Sequence, residues 1–128
     1  MLGSCDVIIF VATTEPARAR GFYENVLGLR LVAGEPFALV FDANGTTLRV
    51  QKVQELTPAR HTVLGWMVPD IIGAVTELAR EGVTFERFEG LAQDDLGIWT
   101  APSGAKVAWF RDPDGNTLSL TQSGSGAR

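Results

Sequence analysis

The sequence repeats one of its own segments, and this repeat restricts the fold more than any other feature. Residues 41–51, FDANGTTLRVQ, align with residues 111–121, RDPDGNTLSLT, at a constant offset of 70 positions. Each copy has an aspartate and glycine turn followed by alternating polar and apolar residues, which is typical of a hairpin strand with one buried face. Arg49 and Ser119 occupy equivalent places in the two copies. A repeat of this kind predicts two copies of one structural unit.

The elements that precede the repeat in the first half follow a clear order. A β-branched apolar run at residues 5–12 is followed by a helical apolar pattern at about residues 15–27, with Pro16 in its first turn and Gly28 as its stop. Three strands are then predicted at the segments LRLVAG, FALVFD and TTLRVQKV. The first half therefore has the order βαβββ.

The second half begins with the same order. A strand at residues 61–68 is followed by a helix that starts after Pro69 and Asp70, and strands are predicted at VTFERF, GIWTA, KVAWFRD and NTLSLTQ. We therefore predict an α+β fold with two βαβββ modules in tandem, at about residues 5–53 and 61–122. They form one domain over residues 1–122, and residues 123–128 are predicted to be a flexible tail.

Composition limits the possible partners. The chain has 128 residues, of which 45% are hydrophobic and 20% charged, and its net charge of −4 provides no basic surface for nucleic acid. A single cysteine cannot form a disulfide within the chain, and no apolar run is long enough for a membrane span. We expect a cytoplasmic protein that binds neither nucleic acid nor membrane.

Two motifs resemble those of a known superfamily. The segment GFYENVLGLRL in the first helix and FRDPDGNTLSL at the end of the second module are similar to the vicinal oxygen chelate superfamily, which includes glyoxalases, extradiol dioxygenases, fosfomycin-modifying enzymes and bleomycin-sequestering proteins. The resemblance covers about residues 5–122. It implies that the sheets form curved half-barrels around a central pocket, and that the chain is a homodimer.

The resemblance also implies where a metal would bind. Enzymes of this superfamily typically hold a divalent ion with His or Gln from the first strand of each module and Glu from the last. The corresponding positions here are Ile8, Arg49, Val63 and Ser119. Two aliphatic side chains, a guanidinium and a hydroxyl are poor ligands for such an ion, so we predict no metal and no other cofactor.

One histidine leaves a catalytic alternative open. His61 lies two residues before Val63, and Asp6 lies two residues before Ile8, so alternation places each on the predicted pocket face of its strand. His61 and Asp6 could therefore transfer a proton, although a histidine at a strand start is more often solvated.

Strand alternation gives a candidate ligand-binding face that is apolar and aromatic with a few polar groups. Arg49 on this face either binds an anionic ligand, pairs with a nearby carboxylate or turns towards solvent. Trp109 offers a platform for a planar ligand, whereas the pattern does not fix the orientation of Trp99. Val40 is expected on the opposite face, beneath the helices. The predicted ligand-binding residues are Ile8, Phe10, Phe37, Leu39, Phe41, Arg49, Gln51, Val63, Met67, Val107, Trp109, Ser119 and Thr121.

Two functions from different classes follow from these residues. The first is a metal-free protein that sequesters a planar, apolar small molecule, with an anionic group allowed by Arg49. The second is an enzyme of the superfamily, a glyoxalase-like lyase, an isomerase or a dioxygenase, with atypical or differently placed catalytic residues. Bound metal, or a pocket group whose removal abolishes turnover, would distinguish the enzyme from the binding protein.

Overall fold

The computed structural model describes residues 1–124 as two compact units, with the boundary between Pro58 and Ala59. The predicted flexible tail, residues 123–128, lies outside the described residues from position 125 onward. No helix within residues 1–124 combines the length and the hydropathy needed to cross a bilayer.

The first unit contains a four-stranded sheet with the strand order β1-β4-β3-β2. β1 runs parallel to β4, and the other neighbours are antiparallel. The chain order is β1 (Ile8–Thr13), α1 (Pro16–Gly21), β2 (Arg30–Gly34), β3 (Ala38–Ala43) and β4 (Thr46–Lys52), preceded by a short 3-10 turn at Leu2–Ser4. This is the predicted βαβββ order.

The first helix is shorter and less regular than predicted. It begins with Pro16 at its first position, remains α-helical to Gly21 and continues as a π-helical turn over Phe22–Val26. Gly28, at φ 75°, follows this turn in the left-handed conformation that favours glycine. Tyr23 in the π-helical turn is fully buried, so this turn rather than a longer α-helix contributes the large aromatic side chain to the core.

The hairpin between β3 and β4 has the predicted turn. Asn44 and Gly45 have φ values of 52° and 92°, as a type I′ turn requires, and the Asp42 carboxylate accepts a hydrogen bond from the Gly45 N–H at 3.2 Å. Ala43 pairs with Thr46, which fixes the register of the whole hairpin.

The second unit repeats this arrangement with the strand order β5-β8-β7-β6. β5 is parallel to β8, and α2 lies against β7 and β8. Asp70 caps α2 by accepting a hydrogen bond from the Gly73 N–H at 3.2 Å, as the sequence suggests. The elements are β5 (Leu64–Met67), α2 (Ile71–Arg80), β6 (Trp99–Thr100), β7 (Lys106–Arg111) and β8 (Thr117–Gln122).

The strand predicted at VTFERF, residues 83–88, is wrong. This segment is irregular, although the Glu86 N–H donates to the Trp109 carbonyl at 2.8 Å. The side chain of Gln93 accepts a hydrogen bond from the Phe88 N–H and donates one to the Glu86 carbonyl. These backbone groups are therefore not available to pair with a neighbouring strand. β6 is accordingly reduced to two residues, Trp99 and Thr100.

Candidate functional site

The strand register separates the two faces of the first sheet. Phe10 pairs with Arg49, and Arg49 lies opposite Val40 in the next strand. Ile8 and Gln51 lie two residues away from these positions in their own strands and therefore share the same face. Ile8 and Phe10 are 51% and 54% exposed, so this face presents apolar side chains to its surroundings.

Leu39 and Phe41 do not lie on the predicted face. They are opposite Val50 and Leu48, and the Phe41 ring is 5.9 Å from the ring of Tyr23 on the helix side. The expected positions of Phe41 and Val40 are thus exchanged. Alternation could not assign the faces of this strand because residues 37–41, FALVF, are apolar throughout.

Phe37 precedes β3 and is 76% exposed. Its carbonyl accepts a hydrogen bond from the Lys52 N–H at 2.8 Å, but its ring is not part of the buried core. Of the three predicted ligand-binding residues in FALVF, Leu39 and Phe41 are therefore buried in the core, whereas Phe37 is exposed.

Arg49 has a carboxylate partner within its own unit. Its Nη2 donates to Glu35 Oε1 at 2.9 Å, and Lys52 Nζ donates to the Glu35 carbonyl at 2.8 Å. The Arg49 and Glu35 side chains are 28% and 44% exposed, so the pair is partly screened by solvent. Of the two partners that the sequence allows, the structure shows the carboxylate.

The corresponding face of the second sheet is built from two rows of residues. In one row Gly65 pairs with Ser119 and Ser119 with Trp109. In the next, Met67 pairs with Thr121 and Thr121 with Val107.

Val63 lies just before β5, and its N–H donates to the Thr117 carbonyl at 2.9 Å. The opposite face carries the core residues Ala108, Phe110, Leu118 and Leu120. The predicted residues of this module therefore occupy one face of its sheet, and their role in ligand binding remains a prediction.

Three aromatic rings meet on this face. The Trp109 ring centroid is 5.3 Å from that of Phe88, edge to face, and 6.2 Å from that of Trp99, at an angle of 36°. Trp99 pairs with Val107, which settles its orientation. We call Phe88, Trp99 and Trp109 the aromatic cluster. Sequence analysis missed Phe88 because it placed this residue in a strand.

The aromatic cluster depends on the irregular segment 86–99. Gln93 Oε1 accepts from the Phe88 N–H at 2.8 Å, and Gln93 Nε2 donates to the carbonyls of Glu86 and Gly97 at 2.9 and 2.8 Å. Asp94 Oδ1 accepts from two further backbone N–H groups in the same segment, at 2.9 Å each. A glutamine within a polar loop was the only signal available in the sequence, and it does not reveal its partners.

A separate cleft of about 190 Å³ lies elsewhere in the second unit. It is lined by residues of α2 and of segment 83–97, among them Val75, Phe85 and Arg87. The Phe85 ring packs on Phe110, a core residue of the sheet face opposite Trp109. The cleft is therefore distinct from the aromatic cluster.

The four positions at which superfamily enzymes hold a metal do not fit a divalent ion. In the first unit they are an aliphatic side chain, Ile8, and a guanidinium already bonded to Glu35. In the second unit they are Val63 and Ser119, of which only the hydroxyl has a lone pair to donate. Among residues 1–124, no three His, Cys, Asp or Glu side chains are grouped as a metal site.

The proposed proton-transfer residues lie outside the sheets. Asp6 precedes β1 in the first unit, and His61 precedes β5 in the second. Both side chains are exposed. The sheet register includes neither residue and gives neither a catalytic arrangement within its own unit.

Comparison with known protein families gives a match over most of the chain. The sequence profile of the Glyoxalase/Bleomycin resistance protein/Dioxygenase superfamily matches residues 7–120. No curated protein matches the sequence.

Several solved structures share the fold. A lactoylglutathione lyase from Agrobacterium tumefaciens is 18% identical with a TM-score of 0.73, and the match covers 93% of each chain. TnmS3, an antibiotic-binding protein from Streptomyces sp. CB03234, is 23% identical with a TM-score of 0.72, covering 94% of this chain and 96% of that one. A glyoxalase family protein from Bacillus anthracis is 17% identical with a TM-score of 0.73, covering 92% and 93%.

Proposed function

The chain belongs to the Glyoxalase/Bleomycin resistance protein/Dioxygenase superfamily, and we propose that its role is to bind a planar, mainly apolar small molecule without a metal. The observation that carries this proposal is the aromatic cluster on the sheet face of Ser119. Ser119 stands where the resemblance implies a carboxylate ligand in catalytic relatives. An aromatic surface thus lies beside Ser119, whose hydroxyl is a poor ligand for a divalent metal.

The geometry of the cluster supports a planar ligand. Trp109 touches Phe88 edge to face and Trp99 at a moderate tilt, so the three side chains hold one another in defined orientations. Aromatic side chains provide large contact areas with little loss of rotamer freedom, and offset or edge contacts between rings are favourable. Pockets for small molecules are typically lined in this way: aromatic rings supply contact area, and a few polar groups fix the orientation of the ligand.

The charge of the ligand is less restricted than the sequence suggests. Because Glu35 already accepts from Arg49, the guanidinium does not require a ligand anion. A carboxylate or phenolate on the ligand would have to compete with Glu35. We therefore assign the ligand a planar apolar body and no obligatory negative charge.

A protein of the same fold provides a precedent for binding. TnmS3 from Streptomyces is described as an antibiotic-binding protein and shares 23% of its residues with this chain. This identity establishes the common fold alone. It supports the proposal to the extent that the fold accommodates a bound antibiotic in another protein.

We further propose a cytoplasmic homodimer. The edge strands are β1 and β2 in the first sheet and β5 and β6 in the second, and edge strands offer unpaired backbone groups to a second chain. Val7, Ile8 and Phe10 beside or within β1 are all more than half exposed. A second copy of the chain would cover such an apolar edge.

The indole N–H signals of the three tryptophans test the proposed binding site. We expect titration with 1-methylnaphthalene, followed by ¹H–¹⁵N NMR, to shift the Trp99 and Trp109 signals saturably while Trp66 on the other sheet face changes little. Single tryptophan to phenylalanine variants assign the three signals. Saturable shifts confined to Trp66, or no saturable shift at any indole, would refute binding at the aromatic cluster.

A further inference from the structure

The row Gly65–Ser119–Trp109 combines a largely buried serine with a missing side chain. Ser119 is only 7% exposed, whereas Gly65 beside it is exposed. A Cβ atom built on Gly65 would lie 2.9 Å from Ser119 Oγ. The Ser119 hydroxyl therefore projects from the sheet on the side that Gly65 leaves open.

The hydroxyl at this position has unused hydrogen-bonding capacity. Among residues 1–124, Ser119 Oγ forms no side-chain hydrogen bond. Oγ is not among the fully buried polar atoms of residues 1–124, so water or a ligand can reach it as a hydrogen-bond partner. A ligand atom that reached the opening at Gly65 would supply this partner.

Glycine at this position also needs an explanation. Gly65 lies within β5, where glycine is unfavourable because it contributes no packing and loses much backbone freedom. Its φ is not in the left-handed region, so the backbone conformation does not require glycine. The Ser119 hydroxyl, which would lie 2.9 Å from a Cβ at this position, is the close neighbour that favours glycine, and glycine in turn leaves that hydroxyl accessible.

We infer that Gly65 and Ser119 determine specificity, by selecting a planar aromatic ligand with a hydrogen-bonding atom on its edge. The ring contacts Trp109 and lies over Gly65, and an edge hydroxyl, carbonyl or ring nitrogen bonds to Ser119 Oγ. This inference rests on the proposed function and adds the chemical class of the ligand. Ser119 serves as both donor and acceptor, so either polarity of the edge atom is accepted.

The test compares two probes of matched shape, 1-naphthol and 1-methylnaphthalene, which differ by a hydroxyl in place of a methyl group. We expect Ser119→Ala to weaken 1-naphthol binding by about 2- to 10-fold, the usual net effect of one hydrogen bond, and to leave 1-methylnaphthalene binding within about 2-fold. Dissociation constants come from the tryptophan indole titrations. Ser103→Ala, in an exposed loop, is the matched control and should change neither affinity.

A second variant tests the open space. Gly65→Ala introduces a Cβ that displaces the Ser119 hydroxyl and occupies the ring position, so we expect weaker binding of both probes. The ¹H–¹⁵N spectrum of each variant reports whether the chain remains folded. An equal effect of Ser119→Ala on both probes would overturn the inference while leaving the proposed function intact. Failure of both probes to bind the unaltered protein would overturn both.

Discussion

At the scale of single residues, the most informative correction concerns two phenylalanines of one apolar segment. Phe41 is fully buried against Tyr23, whereas Phe37 is 76% exposed. The sequence FALVF offers no polar residue to distinguish them. Only the register set by the hairpin turn, with Ala43 opposite Thr46, decides which side chain enters the core.

This difference predicts unequal effects of the same substitution. Phe41→Ala should lower the free energy of unfolding by about 3–5 kcal/mol, because it removes a large ring from a packed core. Phe37→Ala, the matched control, should change it by less than about 1 kcal/mol, since its ring is exposed. Urea denaturation measures both. Similar losses for the two variants would contradict the observed face assignment.

Arg49 illustrates what sequence analysis leaves open about a charged residue. The pattern placed it on a sheet face, but its partner, Glu35, lies in the connection before β3 and has no motif of its own. A contact between residues 14 positions apart depends on how the connection folds. Because Glu35 already pairs with Arg49, the ligand is not expected to need a negative charge.

At the scale of elements, residues 83–88 differ most from the prediction. The apolar residues of VTFERF suggest a strand, but the amide of Gln93 takes up the backbone groups of Glu86 and Phe88. Side-chain to backbone bonds of this kind compete with regular structure, and propensity does not report them. The hairpin turn and the helix starts were predictable because aspartate, proline and glycine act there through local geometry.

Gln93 is therefore expected to position the aromatic cluster. Gln93→Ala removes three hydrogen bonds, and we expect a loss of about 1–3 kcal/mol in unfolding free energy together with faster amide exchange at Phe88. Binding of 1-methylnaphthalene should weaken as Phe88 leaves Trp109. Gln54→Ala, at an exposed position, is the control. Unchanged exchange at Phe88 in Gln93→Ala would show that Gln93 does not hold the segment.

At the scale of the whole molecule, the internal repeat was the strongest predictor. The 70-residue offset and the repeated element order led to two βαβββ modules, and the structure has two four-stranded sheets of the same strand order. What the repeat could not reveal is the difference between the modules. Only the second carries the aromatic cluster, which depends on segment 86–99.

The assembly prediction also belongs to this scale. We expect sedimentation equilibrium at micromolar concentration to give twice the mass of one chain, because the apolar side chains around β1 favour a covered edge. Ile8→Lys should shift the equilibrium towards the single chain by placing a charge there. A mass of one chain for the unaltered protein would contradict the proposed homodimer.

Metal content tests the central claim most directly. The protein is purified without chelator, incubated with zinc, nickel, manganese or ferrous iron, dialysed and subjected to elemental analysis. We predict far less than one equivalent of any metal per chain, together with unchanged indole shifts on addition of 1-methylnaphthalene after treatment with a chelator. Retention of one equivalent of metal per chain, or loss of probe binding when that metal is removed, would contradict a metal-free binding protein.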